Sequence, residues 1–306
     1  MSGKKIKINF FLVHILFLAL LGTILFVPDR VEVPSHIPFI AVTAVAELVI
    51  IALHKKENIR DIGCVVFIFF EVWELVTSKL VRESNYLIPS PENVLDIYIT
   101  DRQLILQNIM TSTGFLAAGF ITAVLAGLLL GVIVGWYKSL REIFMPIVKV
   151  ITPIPPLIYS AYLVALLPTF RDASVAIIFL GVFWGMFLSV IFTVSSIDQK
   201  LLDSVSVLNL SQISIFLHIL LPYSLPSVLA RLSNSISVAF MVLISAEMLG
   251  GSSGMGWYIK YSTIYGEYDK TISGIILIAV YVTLLNVIIN RLKKVLVPWD
   301  ISAAEQ

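Results

Sequence analysis

Residues 201–226 read LLDSVSVLNLSQISIFLHILLPYSLP. Leu201, Leu202, Val205 and Leu208 share one face of a short helix, while Gln199, Asp203 and Ser206 lie mainly on the other. Asp198 stands where an N-cap belongs. Asn209 comes where the helix should end, and asparagine tolerates the left-handed conformation of a C-terminal cap. Ser211 then suits the N-cap of a second helix, SQISIFLHILL. Pro222 lacks an N–H and disfavours helical geometry in the residue before it, which predicts that this helix stops there. The pattern describes two short helices joined by a stiff corner. On these residues alone, an ordinary interfacial helix fits as well as a moving part.

What surrounds the corner is lipid-like. The chain is 58% hydrophobic and 13% charged with a mean hydropathy of +0.95, against about 25% charged residues in soluble domains. That much apolar surface has no water-soluble core to fill, so it faces lipid or other helices. A formal net charge of +1 gives no electrostatic footprint for nucleic acid. The one cysteine, Cys64, lies in an apolar run and reads as a small inert hydrophobe.

Eight segments are apolar enough to be membrane helices: about 9–27, 37–54, 63–80, 109–135, 145–167, 174–195, 225–247 and 271–290. The first follows Lys4, Lys5 and Lys7 and is read as an uncleaved anchor, because no small-x-small cleavage site follows it. An even number of spans puts both termini on one side. With the termini in the cytoplasm, inside segments carry twelve Lys and Arg against seven outside, leaving out Lys149 and Arg231 near helix ends. That bias favours two cytoplasmic termini and a cytoplasmic corner at 196–224. In the outside segment 81–108, Ser90, Pro91 and Glu92 form a helix start. Val94, Leu95, Ile97 and Tyr98 suggest a helix along the membrane surface, and a plain connecting loop fits equally.

Four stretches then converge on one family. Asp203, Ser204, Val205, Asn209, Leu220, Leu221 and Pro222 occupy the places of the Glu-Ala-Ala, Gly and Ile-Leu-Pro of the cytoplasmic loop in permease subunits of binding-protein-dependent ABC importers. Asp keeps the charge and Asn keeps the bend. AEMLGGSSGMGWYI, residues 246–259, resembles the end of the fifth core helix in the nitrate, sulfonate and taurine branch of that family. LIPSPENVL and ITPIPPLIYSAYLVALLP, residues 87–95 and 151–168, resemble the same branch, so the likeness covers about 87–298.

The resemblance implies an all-α polytopic membrane protein with the type I ABC importer transmembrane-domain fold and about eight transmembrane helices. Residues 1–80 would hold three N-terminal helices, two more than the family core needs, 81–108 an extracytoplasmic connection, and 109–298 a five-helix permease core. It further implies a coupling helix at 199–209, with Asp203, Ser204, Val205, Leu208, Asn209, Leu221 and Pro222 meeting an ATPase. For Asp203 a solvated surface carboxylate is the plainer reading. The implied partners are two ABC ATPase subunits, a second copy of this permease, an extracytoplasmic solute-binding protein and the lipid bilayer of the cytoplasmic membrane. ATP and Mg would bind in the partner ATPase, and this chain would bind no cofactor.

Within the spans, Pro153, Pro155 and Pro156 deprive backbone carbonyls of partners, which is tolerable beside protein or a wet cavity but costly against lipid. With Tyr159 they are candidates to line the translocation path, a structural kink being the alternative. Glu247 ends the seventh span, and ionisable residues at such depth face the bundle interior or water. Ser245, Glu247 and Met248 are therefore gate or pathway candidates, and the alternative is a carboxylate that helps the chain turn. The GGSSGMG run, residues 250–256, lacks the GxxxxGK[ST] pattern of a phosphate loop and suits tight turning instead. Glu47, Glu71 and Glu74 in the N-terminal spans fit snorkelling, partner contact, or ion coupling in a self-contained secondary transporter. No nucleophile–base arrangement or metal-ligand spacing supports an enzyme. The importer branch favours a small anion such as a sulfonate, taurine or nitrate.

Overall fold

The computed structural model describes residues 10–53, 57–80, 87–198, 201, 203 and 210–296. These residues form α1 (Phe10–Phe26), α2 (Ile37–Ala52), α3 (Glu57–Glu74) with a π turn at Leu75–Lys79, α4 (Pro91–Thr100) and α5 (Arg102–Trp136). There follow α6 (Lys138–Ile151), α7 (Pro156–Leu166), α8 (Phe170–Ser195), α9 (Gln212–Gly250), α10 (Met255–Ile264) and α11 (Tyr268–Leu296). Four of them, α5, α8, α9 and α11, are long and apolar enough to cross a membrane, and the bent pair α6–α7 makes a fifth if it counts as one span. α1 and α2 are shorter apolar helices.

The described chain divides into two compact units, one running through Ile105 with Ile259–Ile275, the other Leu106–Tyr258 with the residues from Ile276 onward. In the first unit Val13, Leu20, Ile24, Phe39, Ile50, Cys64 and Phe67 form the core. α4 starts where its sequence says: the Ser90 hydroxyl accepts from Asn93 N–H with Pro91 in the first turn. Its apolar residues pack inward: Val94 and Ile97 are buried and Leu95 packs on that core. The Tyr98 hydroxyl donates to the Ser273 carbonyl at 2.7 Å, and burial pushes the phenol up to about 12.

The second unit is held by a stripe of small residues. Gly119, Ala123, Gly127, Gly131 and Gly135 recur every fourth position along α5. A Cβ built on Gly119, Gly127, Gly131 or Gly135 would lie 2.7, 3.0, 2.7 and 2.8 Å from the Cβ atoms of Ile178, Met186, Val190 and Val194 respectively. Those partners are themselves multiples of four apart on α8, so two ridges interlock with the backbones close together. Lipid offers no hydrophobic drive between helices, which makes such close packing the main adhesive. α8 itself begins with a reciprocal cap: Thr169 accepts from Asp172 N–H at 3.1 Å and donates its hydroxyl to the Asp172 carboxylate at 2.7 Å.

One sequence expectation needs correcting. Pro222 does not stop its helix; α9 runs from Gln212 to Gly250. The Ser211 cap is as expected, its hydroxyl accepting from Ser214 N–H. A π turn at Phe216–Leu220 then intervenes, and Leu221 N–H reaches back five residues to the Phe216 carbonyl. This resets the ladder, so Pro222 opens a fresh α segment at a position where no N–H is needed. We therefore expect Pro222→Ala to leave helical content unchanged by circular dichroism and to alter stability by less than about 1 kcal/mol. The span read at 145–167 is broken at its prolines, as their missing N–H groups suggest. α6 ends at Ile151, α7 starts at Pro156, and their axes differ by 92°. Pro153 and Pro155 lie in the break, where their missing N–H groups cost no helical bond.

Candidate functional site

The chemistry-bearing groups of the second unit gather where α9 ends. Glu247 is wholly buried. Its Oε1 accepts from the Ser112 hydroxyl at 2.6 Å and its Oε2 from Gly256 N–H at 2.7 Å. Ser112 Oγ in turn accepts from Met255 N–H at 2.9 Å, and Asn108 Oδ1 accepts from Gly254 N–H at 2.7 Å. One carboxylate and two α5 side chains thus take up three successive N–H groups at the start of α10, the end of a helix dipole that favours an anion. Gly254 has φ +110°, and a Cβ there would land on the Glu247 carboxyl. A Cβ on Gly251 would lie 2.6 Å from the Glu247 carbonyl, and one on Gly256 would lie 2.5 Å from the Ile244 carbonyl. The glycine run is a tight wrap around Glu247, which the geometry makes a clasp for the turn.

The neighbouring candidates do not join it. Ser245 donates its hydroxyl back to the Met241 carbonyl, and Met248 is exposed. Pro153 and Pro155 are exposed in the α6–α7 break, and Tyr159 is half-buried in the first turn of α7. Pro156 seats against α8 where Gly181 leaves room: a Cβ there would lie 3.1 Å from the Pro156 ring. Further along α7, Leu163 and Val164 pack on Val242 and Ala246 of α9 and Ile177 of α8. The broken pair and the α9 end are therefore on adjoining helices, although their polar groups do not meet. Asn108 and Ser112 escaped the sequence reading, since nothing local marks two polar residues of a long apolar helix as partners of a loop some 140 positions away.

Of the expected ATPase-facing residues, Asp203 is helical and exposed. Ser204, Val205, Leu208 and Asn209 lie outside the described residues. Leu221 and Pro222 form the first turn of the long segment of α9.

With a bundle of membrane helices and this α5–α9–α10 clasp in view, comparison with known proteins becomes informative. Residues 123–299 match the family described as binding-protein-dependent transport system inner membrane component. The chain belongs to that family. It is 25% identical to a taurine transport system permease protein of Escherichia coli (strain K12) over 253 residues, 80% of this chain and 91% of that protein. It is 30% identical to a nitrate import permease protein of Leptolyngbya laminosa over 247 residues, 76% of this chain and 85% of the other. A putative aliphatic sulfonates transport permease protein of Bacillus subtilis (strain 168) is 24% identical over 237 residues, 76% and 84% of the two chains.

The permease is thus a multi-pass inner-membrane subunit of an ABC importer, in the nitrate, sulfonate and taurine branch, with the type I transmembrane-domain fold. It is a transport component, not itself a catalyst, and membership of the family implies an ATPase and a solute-binding protein as partners. The same matches set aside the ion-coupled secondary transporter.

Proposed function

We propose that this permease carries a small anion of the sulfonate, taurine or nitrate type. The observation that supports it is the likeness, over three quarters of the chain, to permeases named for taurine, nitrate and aliphatic sulfonates. Two copies would form the membrane pathway, two ATPase subunits would bind ATP and Mg beneath them, and an extracytoplasmic binding protein would deliver the solute. The full count of eight spans with both termini cytoplasmic belongs to this reading, as does a path running beside Pro153, Pro155, Pro156 and Tyr159.

Energy then enters through the corner between α8 and α9. Asp203, helical and exposed, would pass motion of the ATPase to the membrane helices as rigid-body displacement. Ser204, Val205, Leu208 and Asn209 would complete that contact, and Leu221 and Pro222 would anchor it to α9. Asp203→Arg reverses the charge at the proposed contact. In proteoliposomes loaded with receptor and ATPase, uptake should fall at least tenfold while the amount of permease in the membrane stays the same. Normal uptake together with normal copurification of the ATPase sinks the coupling assignment.

A further inference from the structure

The first unit holds a cavity of about 520 Å³ whose polar groups the protein itself leaves unspent. Ser90, 2% exposed, lines its depth; the hydroxyl accepts from Asn93 N–H at 3.3 Å and keeps its own proton to donate. Asn93, Tyr268 and Asp269 are half-buried in the walls, and Arg30 and Glu32 stand exposed at the rim. Among the described residues neither Arg30 nor Glu32 has an ion-pair partner, and the Asp269 carboxylate accepts only from Lys270 N–H at 2.8 Å. We propose that this cavity binds a small zwitterion, an amino acid or amino sulfonate. Its acid group would lie on Arg30, Ser90 and Asn93, and its primary ammonium on Glu32 and Asp269.

Chain geometry sets these groups in place before a ligand arrives. Arg30 N–H donates to the Ser78 carbonyl at 2.9 Å. Lys79 Nζ donates to the Val27 carbonyl at 2.9 Å and to Asp29 Oδ1 at 2.6 Å, so the chain leading to Arg30 is fastened to the π turn. Ser90 and Asn93 are fixed by the cap of α4. Gly266, at φ +73°, turns the chain between α10 and α11, with Glu267 N–H on the Ser262 carbonyl at 2.9 Å. That turn delivers Tyr268 and Asp269 to the same cavity. Groups held in this way lose little order when a ligand binds.

The ligand class follows from charge and donors. Small-molecule sites run to about 300–1,000 Å³, and this volume falls among them. The neighbouring charges are already matched: Asp29 lies with Lys79 and His36, and Lys270 with Asp101 and Glu267. That leaves Arg30 against Glu32 and Asp269. A simple anion would answer Arg30 and leave two carboxylates over; a simple amine would do the reverse. One molecule bearing both charges answers all three. Guanidinium, hydroxyl and amide N–H groups donate to carboxylate or sulfonate oxygens. Tyr268 is the one aromatic ring among the described side chains around the cavity that could face a cation, too few for the cage that holds a quaternary ammonium. Two carboxylates instead suit the N–H donors of a primary one. The site rests on the side chains of this unit and not on which solute the importer carries.

The test is equilibrium dialysis of radiolabelled taurine against the full permease in nanodiscs, without receptor or ATPase. Taurine should bind saturably to a single class of site and be displaced by β-alanine. Ethanesulfonate and ethylammonium, each lacking one of the two charges, should compete at least about tenfold more weakly. Arg30→Gln, and separately Glu32→Gln combined with Asp269→Asn, should each weaken taurine binding at least about tenfold. Glu142→Gln, at an exposed glutamate of α6, should bind as the wild type does. Absence of saturable binding, equal competition by the singly charged compounds, or binding that survives Arg30→Gln and therefore belongs to another site would each overturn the proposal. Should the double variant fail to fold, Arg30→Gln and the wild-type competition series decide. The solute delivered by the receptor is read from receptor binding, so failure here leaves that reading untouched.

Discussion

Gly131→Leu should remove most of the folded permease from the membrane, whereas Gly114→Leu, on the same α5 helix, should be tolerated. At Gly131 an added Cβ meets Val190 Cβ at 2.7 Å, Val190 Cγ1 at 2.9 Å and the Phe187 carbonyl at 3.2 Å. None of these atoms is the free end of a flexible side chain, so α5 and α8 must separate. At Gly114 nothing lies within 4 Å. Overpacking a core costs about 1–3 kcal/mol per intrusion, and here the separation propagates to Gly127 and Gly135 on the same ridge, so the loss for leucine should exceed about 3 kcal/mol. Thermal unfolding of purified variants measures it. Val190→Ala combined with Gly131→Ala should recover part of the loss of the single Gly131→Ala change, because the two positions share one contact. Equal damage from leucine at 114 and 131 would mean that the stripe is not what joins these helices.

That stripe was legible in principle, since small residues at four-residue spacing in an apolar segment are a packing signal. So were the caps at Ser90 and Ser211, whose hydroxyls do what local chemistry dictates. Family membership was readable from the loop around Asp203, from residues 246–259 and from the proline-rich 151–168. What misled was proline read locally. Pro222 looks like a stop until a π turn five residues long displaces the carbonyls beneath it, and nothing in FLHIL announces that turn. Pro153 and Pro155, by contrast, read rightly as breaking their span, and only the 92° angle needed the structure. The carboxylates of the first unit were unreadable for another reason: their partners are distant in sequence. Glu47 pairs with His14, and Glu71 accepts from Thr23. A buried charge is recognisable in a sequence, but the group that satisfies it is not.

Glu247 shows the same gap between recognising a charge and knowing its work, and two substitutions separate clasp from gate. Glu247→Leu removes both acceptors and leaves Gly256 N–H and the Ser112 hydroxyl buried without partners. Each orphaned group costs about 1–3 kcal/mol, so the variant should lose on the order of 4 kcal/mol and accumulate poorly in the membrane. Glu247→Gln keeps the shape: its carbonyl can accept from Gly256 N–H and its amide can donate to Ser112 Oγ. If the carboxylate acts as a clasp, the Gln variant should fold with a loss of about 1 kcal/mol and transport at close to the wild-type rate. Were the charge itself needed in the path, Glu247→Gln would fold and yet lose most of its uptake. Gly254→Ala adds a third measurement, since it leaves the carboxylate untouched while placing a methyl group on it at φ +110°. It should resemble Glu247→Leu in the amount of folded protein, because both push apart the same wrap of chain, and a Gly254→Ala variant as stable as wild type would refute the clasp.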